Sequence, residues 1–160
     1  MVPTKIAALD PGVTTGYAEG LINEEGHMYV VCGQSRWSHL ELWGWLEDHQ
    51  PDVIITERFE YRNRARSGLE LFSRELIGVA NLYTQMVMPP PHELVMQPAG
   101  TVVGKTSYFN NDRLKKEGLY KPARDHAMDA LRHLLYWFEF GSGFQYNKRG
   151  YSRPGERTGE

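Results

Sequence analysis

Val-Ile-Ile-Thr at 53–56 is an unbroken β-branched run that ends on Glu57. It is too short for a helix of its own, and it has no polar alternation that would leave one face in water. It reads as a central strand buried on both faces, with Glu57 delivered at its end. A sheet covered on both faces needs helices on either side, so this one run already points to an α/β architecture.

The rest of the chain supplies the matching parts. Ile6–Leu9 is a short apolar strand ending at Asp10, and Pro-Gly-Val-Thr-Thr-Gly follows as a turn signal. Tyr17–Ile22 and Met28–Gly33 read as strands on either side of Asn23-Glu24-Glu25-Gly26, which completes a three-strand meander. His39–Asp48 has helical spacing through Leu40, Trp43 and Leu46, and Pro51 closes it. Residues 67–87 form a long helix with Leu69, Phe72, Leu76, Ala80, Tyr83 and Val87 at steps of three and four. After three prolines, 92–97 is a further strand and 98–106 a Gly-rich loop; Asp112–Glu117 is a short helix stopped by Gly118. Arg124–Phe140 is the last helix, with Ala127, Leu131, Leu134 and Phe138 facing the core. The expected fold is therefore a mixed five-stranded sheet, a meander followed by alternating strands and helices, flanked by helices. One domain spans 1–140, and the Gly-, Arg-, Ser- and Pro-rich residues 141–160 are expected to be a disordered tail.

Composition removes several classes of protein. Cys32 is the single cysteine, so neither a disulfide framework nor a cysteine zinc cluster is available within the chain. No apolar stretch is long enough to span a bilayer, and the N-terminus does not read as a signal peptide, so a cytoplasmic location and no membrane partner are expected. The net charge of −2 argues against nucleic acid, but its distribution argues the other way. Arg58, Arg62, Arg64 and Arg66 crowd one segment against Glu60 alone; Lys105, Arg113, Lys115, Lys116, Lys121 and Arg124 crowd another.

Asp10 and Glu57 sit at strand ends, and Asp129 lies on the last helix with His126 three residues before it and Asp125 four before. Residues three and four apart share a helix face, so His126 or Asp125 can converge with Asp129. Taken singly these residues have ordinary explanations: a turn aspartate, a solvated strand end, an acid at a helix start. Gathered together, close carboxylates repel and one takes up a proton unless a cation intervenes. Oxygen donors favour Mg²⁺ or Mn²⁺ over zinc, and two ions about 4 Å apart would suit phosphodiester hydrolysis. A neutral His126 would be a nitrogen ligand or a base beside the attacking water.

These same residues carry a family resemblance. Ile-Ala-Ala-Leu-Asp-Pro-Gly-Val-Thr-Thr-Gly-Tyr (6–17), Ile-Ile-Thr-Glu-Arg-Phe (54–59) and Asp-His-Ala-Met-Asp-Ala-Leu (125–131) resemble, in order, the three motifs of the RuvC-type Holliday-junction resolvases within the ribonuclease-H-like superfamily. The resemblance covers about residues 5–138. It implies Asp10, Glu57 and Asp129 as metal ligands and catalytic residues, joined by His126, with Asp125 as a rival for the fourth position. It also implies a magnesium-dependent homodimer acting on branched DNA, and an aromatic residue after the glutamate, Phe59 or Tyr61, stacking at the opened junction. Arg62, Arg64, Arg66, Lys105, Arg113 and Lys115 would then hold the DNA backbone. Leu71, Gly78 and Leu82 give the long helix a second apolar side that suits a dimer interface.

Three rivals stand beside this reading. Ala99-Gly-Thr-Val-Val-Gly-Lys-Thr106 fits a relaxed phosphate-loop pattern. It lacks the first glycine, the long helix after the loop and a later strand ending in aspartate, so no nucleotide cofactor is expected. A flap or hybrid nuclease would share the same acids, and a junction-binding protein without activity would share the fold.

Overall fold

The computed structural model describes residues 4–58, 68–87, 93–104, 107–141 and 150–154. The meander forms from β1 (Thr4–Asp10), β2 (Thr15–Ile22) and β3 (His27–Ser35), antiparallel in sequence. Asn23 closes the β2–β3 turn, its side chain accepting from the backbone N–H of Glu25 and His27. Beyond α1 (His39–His49), β4 (Val53–Glu57) pairs parallel with β1, and after α2 (Gly68–Met86), β5 (Glu93–Gln97) pairs parallel with β4. Then come three helices: α3 (Ala99–Val102), α4 (Asn111–Lys116) and α5 (Asp125–Tyr136). The β-branched run Val53–Thr56 is buried throughout, between β1 and β5.

Each face of the sheet carries its own core, and strand alternation divides the residues between them. Ile6, Ala8, Val53 and Ile55 pack under α5 with Ala127, Leu131, Leu134 and Phe138. Leu9 and Ile54 pack on the opposite face under α1 and α2, with Leu42, Leu46, Leu76, Ala80 and Tyr83. Asp10 continues the 6–8–10 alternation and Glu57 the 53–55–57 alternation, so both belong to the α5 face. Each burial of a large aliphatic side chain contributes about 2 kcal/mol, and this doubled core fixes the sheet to which the acids are attached.

Several expectations are corrected. Among the described residues the sheet has six strands rather than five, in the order β5-β4-β1-β2-β3-β6. The sixth, β6 (Gly150–Ser152), lies within the segment expected to be a tail and pairs parallel with the start of β3. His27 Nε2 and the Ser152 hydroxyl bond at 2.8 Å, and Tyr151 packs against the α5-face core. A three-residue strand next to glycine has no periodicity to betray it; an open edge on β3 supplies the reason it forms. In α1 the expected stripe began at Leu40, which is 82% exposed. Ser38 caps the helix by accepting from Glu41 N–H, and the Glu41 carboxylate accepts from Ser38 N–H; this start turns Leu42 and Leu46 inward instead. Residues 99–102 of the expected Gly-rich loop are a single helical turn with Val102 buried. The last α-helix ends at Tyr136 and passes into a π-helical turn, Trp137–Gly141, rather than continuing as α-helix to Phe140.

Candidate active site

β1 and β4 are adjacent and parallel, so their C-terminal ends, and with them Asp10 and Glu57, lie side by side. α5 crosses the same edge of the sheet and presents Asp129 to both. Its approach is set by glycine: a Cβ on Gly16, which pairs with Asp10 across β1 and β2, would stand 1.8 Å from the His126 carbonyl oxygen. The backbone of α5 thus rests on bare strand backbone, and Ala127 N–H donates to Gln34 Oε1 of β3 at 3.3 Å. No other residue type permits that contact.

From this seat the first turn of α5 reaches Asp10 directly. His126 donates from Nδ1 to Asp10 Oδ2 at 2.9 Å, across 116 residues of sequence. Asp125, the rival in sequence, is exposed in that first turn, where an acid complements the helix dipole. Burial drives the Asp10 carboxyl up from 3.8 to about 6; the His126 bond opposes this, while Asp129 and Glu57 add to it by repulsion. Burial also raises Asp129, against the lowering effect of Arg132, and Glu57 pushes it further up. Asp10 and Asp129 are thus both held back from ionising, chiefly by burial and further by the neighbouring acids.

A stability trend follows with a definite sign. Below the unfolded value of 3.8 Asp10 is protonated whether or not the chain is folded; above it, only the folded chain keeps the proton until about pH 6. Asp10's contribution to stability is thus fully present at low pH and is lost as pH rises through about 6. Urea unfolding of metal-free protein should show this loss in the wild type between pH 4.5 and 7.5 and not in Asp10→Asn. Parallel pH curves for the two proteins would refute it.

The acids are gathered but not closed into a finished coordination shell. Among the described residues, no three His, Cys, Asp or Glu side chains converge as an ion would require. Asp129 faces Arg132, whose Nη1 donates to Asp129 Oδ1 at 2.7 Å. Arg132 is itself fixed: its Nε donates to the Phe109 carbonyl at 2.9 Å and its Nη2 to Asn111 Oδ1, which ties α4 to the site. One turn after Asp129, His133 is fully buried, with Nδ1 2.7 Å from Gln97 Oε1 and Nε2 3.8 Å from Glu57 Oε2. Arg132, His133 and Gln97 were missed by sequence reasoning. The signal was present for His133, since positions 126, 129 and 133 follow the i, i+3, i+7 pattern of one helix face.

Of the expected DNA contacts, Arg113 and Lys115 are exposed on α4, with Arg113 3.7 Å over the Tyr108 ring and Lys115 4.9 Å over Tyr120. Phe59, Tyr61, Arg62, Arg64, Arg66 and Lys105 lie outside the described residues. On α2, Leu71 and Leu82 are exposed, and the space over Gly78 is open. No helix among the described residues is long and apolar enough to cross a membrane.

No family profile matches the sequence, and no curated protein sequence does. The fold is matched instead. RuvC of Thermus thermophilus, solved with a Holliday junction substrate, aligns over 88% of this chain and 97% of its own at a TM-score of 0.62 and 14% identity. This is the RuvC-type resolvase fold. The fowlpox virus Holliday junction resolvase shares it at a TM-score of 0.55 and 15% identity, covering 85% of this chain and 99% of that one. So does the yeast mitochondrial Holliday junction resolvase, at 0.56 and 14%, over 87% and 81%. At such identities the agreement lies in the backbone. In this chain the RuvC-type fold gathers Asp10, Glu57 and Asp129 at one edge of the sheet.

Proposed function

We propose that this chain is a metal-dependent nuclease that cuts branched DNA, with four-way junctions as its substrate. The reading is carried by Asp10 and Glu57 at neighbouring strand ends, with His126 bonded to Asp10 and Asp129 near enough to repel it, in a fold shared with three junction resolvases. The donor set fits magnesium or manganese: three carboxylates and one imidazole, with an Asp10 carboxyl whose proton a cation would displace. A divalent ion there supplies the Lewis-acid charge that eases attack of water on a phosphodiester. Asp10, Glu57 and Asp129 would hold it, with His126 at the fourth position through its second ring nitrogen; Asp125 remains outside on the first turn.

Arg132 has two roles in this reading. It holds Asp129 in place while no cation is bound, and it keeps positive charge beside the path of a phosphate. Arg62, Arg64, Arg66, Lys105, Arg113 and Lys115 would track the backbone, which supplies most of the affinity. Phe59 or Tyr61 would stack on a splayed base, worth about 1–3 kcal/mol and enough to prefer an opened junction over regular duplex. The exposed apolar side of α2 suits a two-fold dimer, whose symmetry matches that of a four-way junction and places two sites on matching strands. The setting would be the DNA-containing interior of a cell.

A labelled four-way junction incubated in Mg²⁺ with wild type and Asp129→Asn tests the reading. Paired symmetric nicks, lost in the variant while binding persists, are the expected outcome. Cutting confined to flaps or RNA/DNA hybrids would keep the nuclease and replace the substrate. Binding without any cutting would replace the enzyme with a junction-binding protein.

A further inference from the structure

His133 is out of place among its neighbours. Ala130, Leu131, Leu134 and Leu135 surround it in sequence and are buried with it, yet it carries two polar nitrogens into a core where a leucine would fit. One nitrogen is satisfied: Nδ1 bonds Gln97 Oε1 at 2.7 Å, and Gln97 is itself buried at the end of β5. The other is not. Among the described residues Nε2 is buried with no hydrogen-bond partner, and its ion-pair contact is Glu57 Oε2 at 3.8 Å. An orphaned buried nitrogen costs about 1–3 kcal/mol, so its position calls for a compensating role.

The sheet register explains how the three residues meet. Glu57 and Gln97 are paired across β4 and β5, so their side chains leave the sheet on the same face. His133 comes down on that face from α5, one turn beyond Asp129. The Gln97 bond fixes the ring's rotation, and the fixed ring aims Nε2 at the Glu57 carboxylate. A span of 3.8 Å is too long for a direct hydrogen bond but is closed by a bridging water or a small movement of the glutamate.

We infer that His133, clamped by Gln97, is a positioning residue that fixes the orientation of the Glu57 carboxylate toward Asp10 and Asp129. The inference deepens the nuclease reading and rests on it for the purpose of that orientation, but the contact itself does not require the metal. It adds a Gln97–His133–Glu57 chain to the site, and it makes the end of β5 part of the machinery. Partners of this kind typically change metal affinity by about 10–100-fold when removed.

Two measurements test it. The first is Mn²⁺ affinity by calorimetry in wild type, His133→Leu and Gln97→Leu, with circular dichroism to establish folding. Folded His133→Leu should bind Mn²⁺ about 10–100-fold more weakly, with Gln97→Leu shifted in the same direction. Wild-type affinity in folded His133→Leu overturns the inference and leaves the nuclease reading standing. The second needs neither metal nor a core substitution: the ¹⁵N resonances of the His133 ring in wild type and Glu57→Gln. A shift at Nε2 supports the contact; unmoved ring signals overturn it. If the wild type binds no Mn²⁺ yet Nε2 responds to Glu57→Gln, the contact is upheld and the metal-dependent reading falls.

Discussion

Asp10→Asn should abolish cleavage and, in the absence of metal, make the protein more stable. The two effects share one cause. Asp10 is largely buried, beside two other carboxylates, and its proton is held to about pH 6 instead of 3.8. At pH 7.5 the folded chain must carry this charge against burial and repulsion, a cost of up to about 3 kcal/mol from a shift of that size. Asparagine removes the charge and forfeits part of the His126 bond, leaving a net gain of roughly 2 kcal/mol. In a domain of this length that is a rise in Tm of about 4–8 °C. Cleavage should fall at least about 10³-fold, because several kcal/mol of transition-state stabilisation depend on the ion this carboxylate would hold. Mg²⁺ should then raise the Tm of the wild type and leave Asp10→Asn where it is. A variant that melts lower than wild type at pH 7.5 without metal, or one that still cuts, would sink the assignment.

The second large effect is expected at a residue that has no side chain. Gly16→Ala adds one methyl group at the point where α5 rests on β2, with the His126 carbonyl oxygen 1.8 Å from the new atom. The obstacle is helix backbone, not a flexible side chain, so α5 must lift or β2 must bend. Overpacking of this severity costs about 3 kcal/mol or more, a Tm lower by roughly 6–12 °C. Activity should suffer beyond the loss of stability, since His126 and Asp129 ride on the displaced helix, and a shift of about 1 Å in a site can cost 10²-fold. Cleavage measured well below the melting point of the variant separates the two losses. Full cutting and a Tm within about 2 °C of wild type would mean that α5 is not seated as described.

The two strand ends and the helix that carries the third acid were legible because each is written in local periodicity. β4 ends where its β-branched run ends, and the 6–8–10 and 53–55–57 alternations put Asp10 and Glu57 on one face. Asp129 was legible from its helix spacing. What was illegible depends on contacts between distant segments. β6 forms because β3 has an open edge, and no pattern in Gly-Tyr-Ser announces it. Leu40 was misread because a capping box, not the apolar count, sets where α1 begins. Arg132 reads as an ordinary helix residue until α4 brings Asn111 to it, and the spacing of His133 marks its helix face but not the Gln97 partner that β5 supplies. The choice between Asp125 and His126 was open in the sequence, and the seat of α5 on Gly16 is what turns the histidine, not the aspartate, to Asp10.

The bond between His126 and Asp10 spans nearly the whole described chain. Everything between them has to be in place before it can form: the meander, the β1–β4 pairing and both faces of the sheet. Contacts of such sequence separation form late, because the entropy of closing the intervening chain is spent before they can repay it. A chain still emerging from a ribosome holds Asp10 and Glu57 long before it holds α5. On the nuclease reading proposed above, such a chain would leave the DNA around it uncut until α5 docks, and a product of premature termination lacking α5 would never cut.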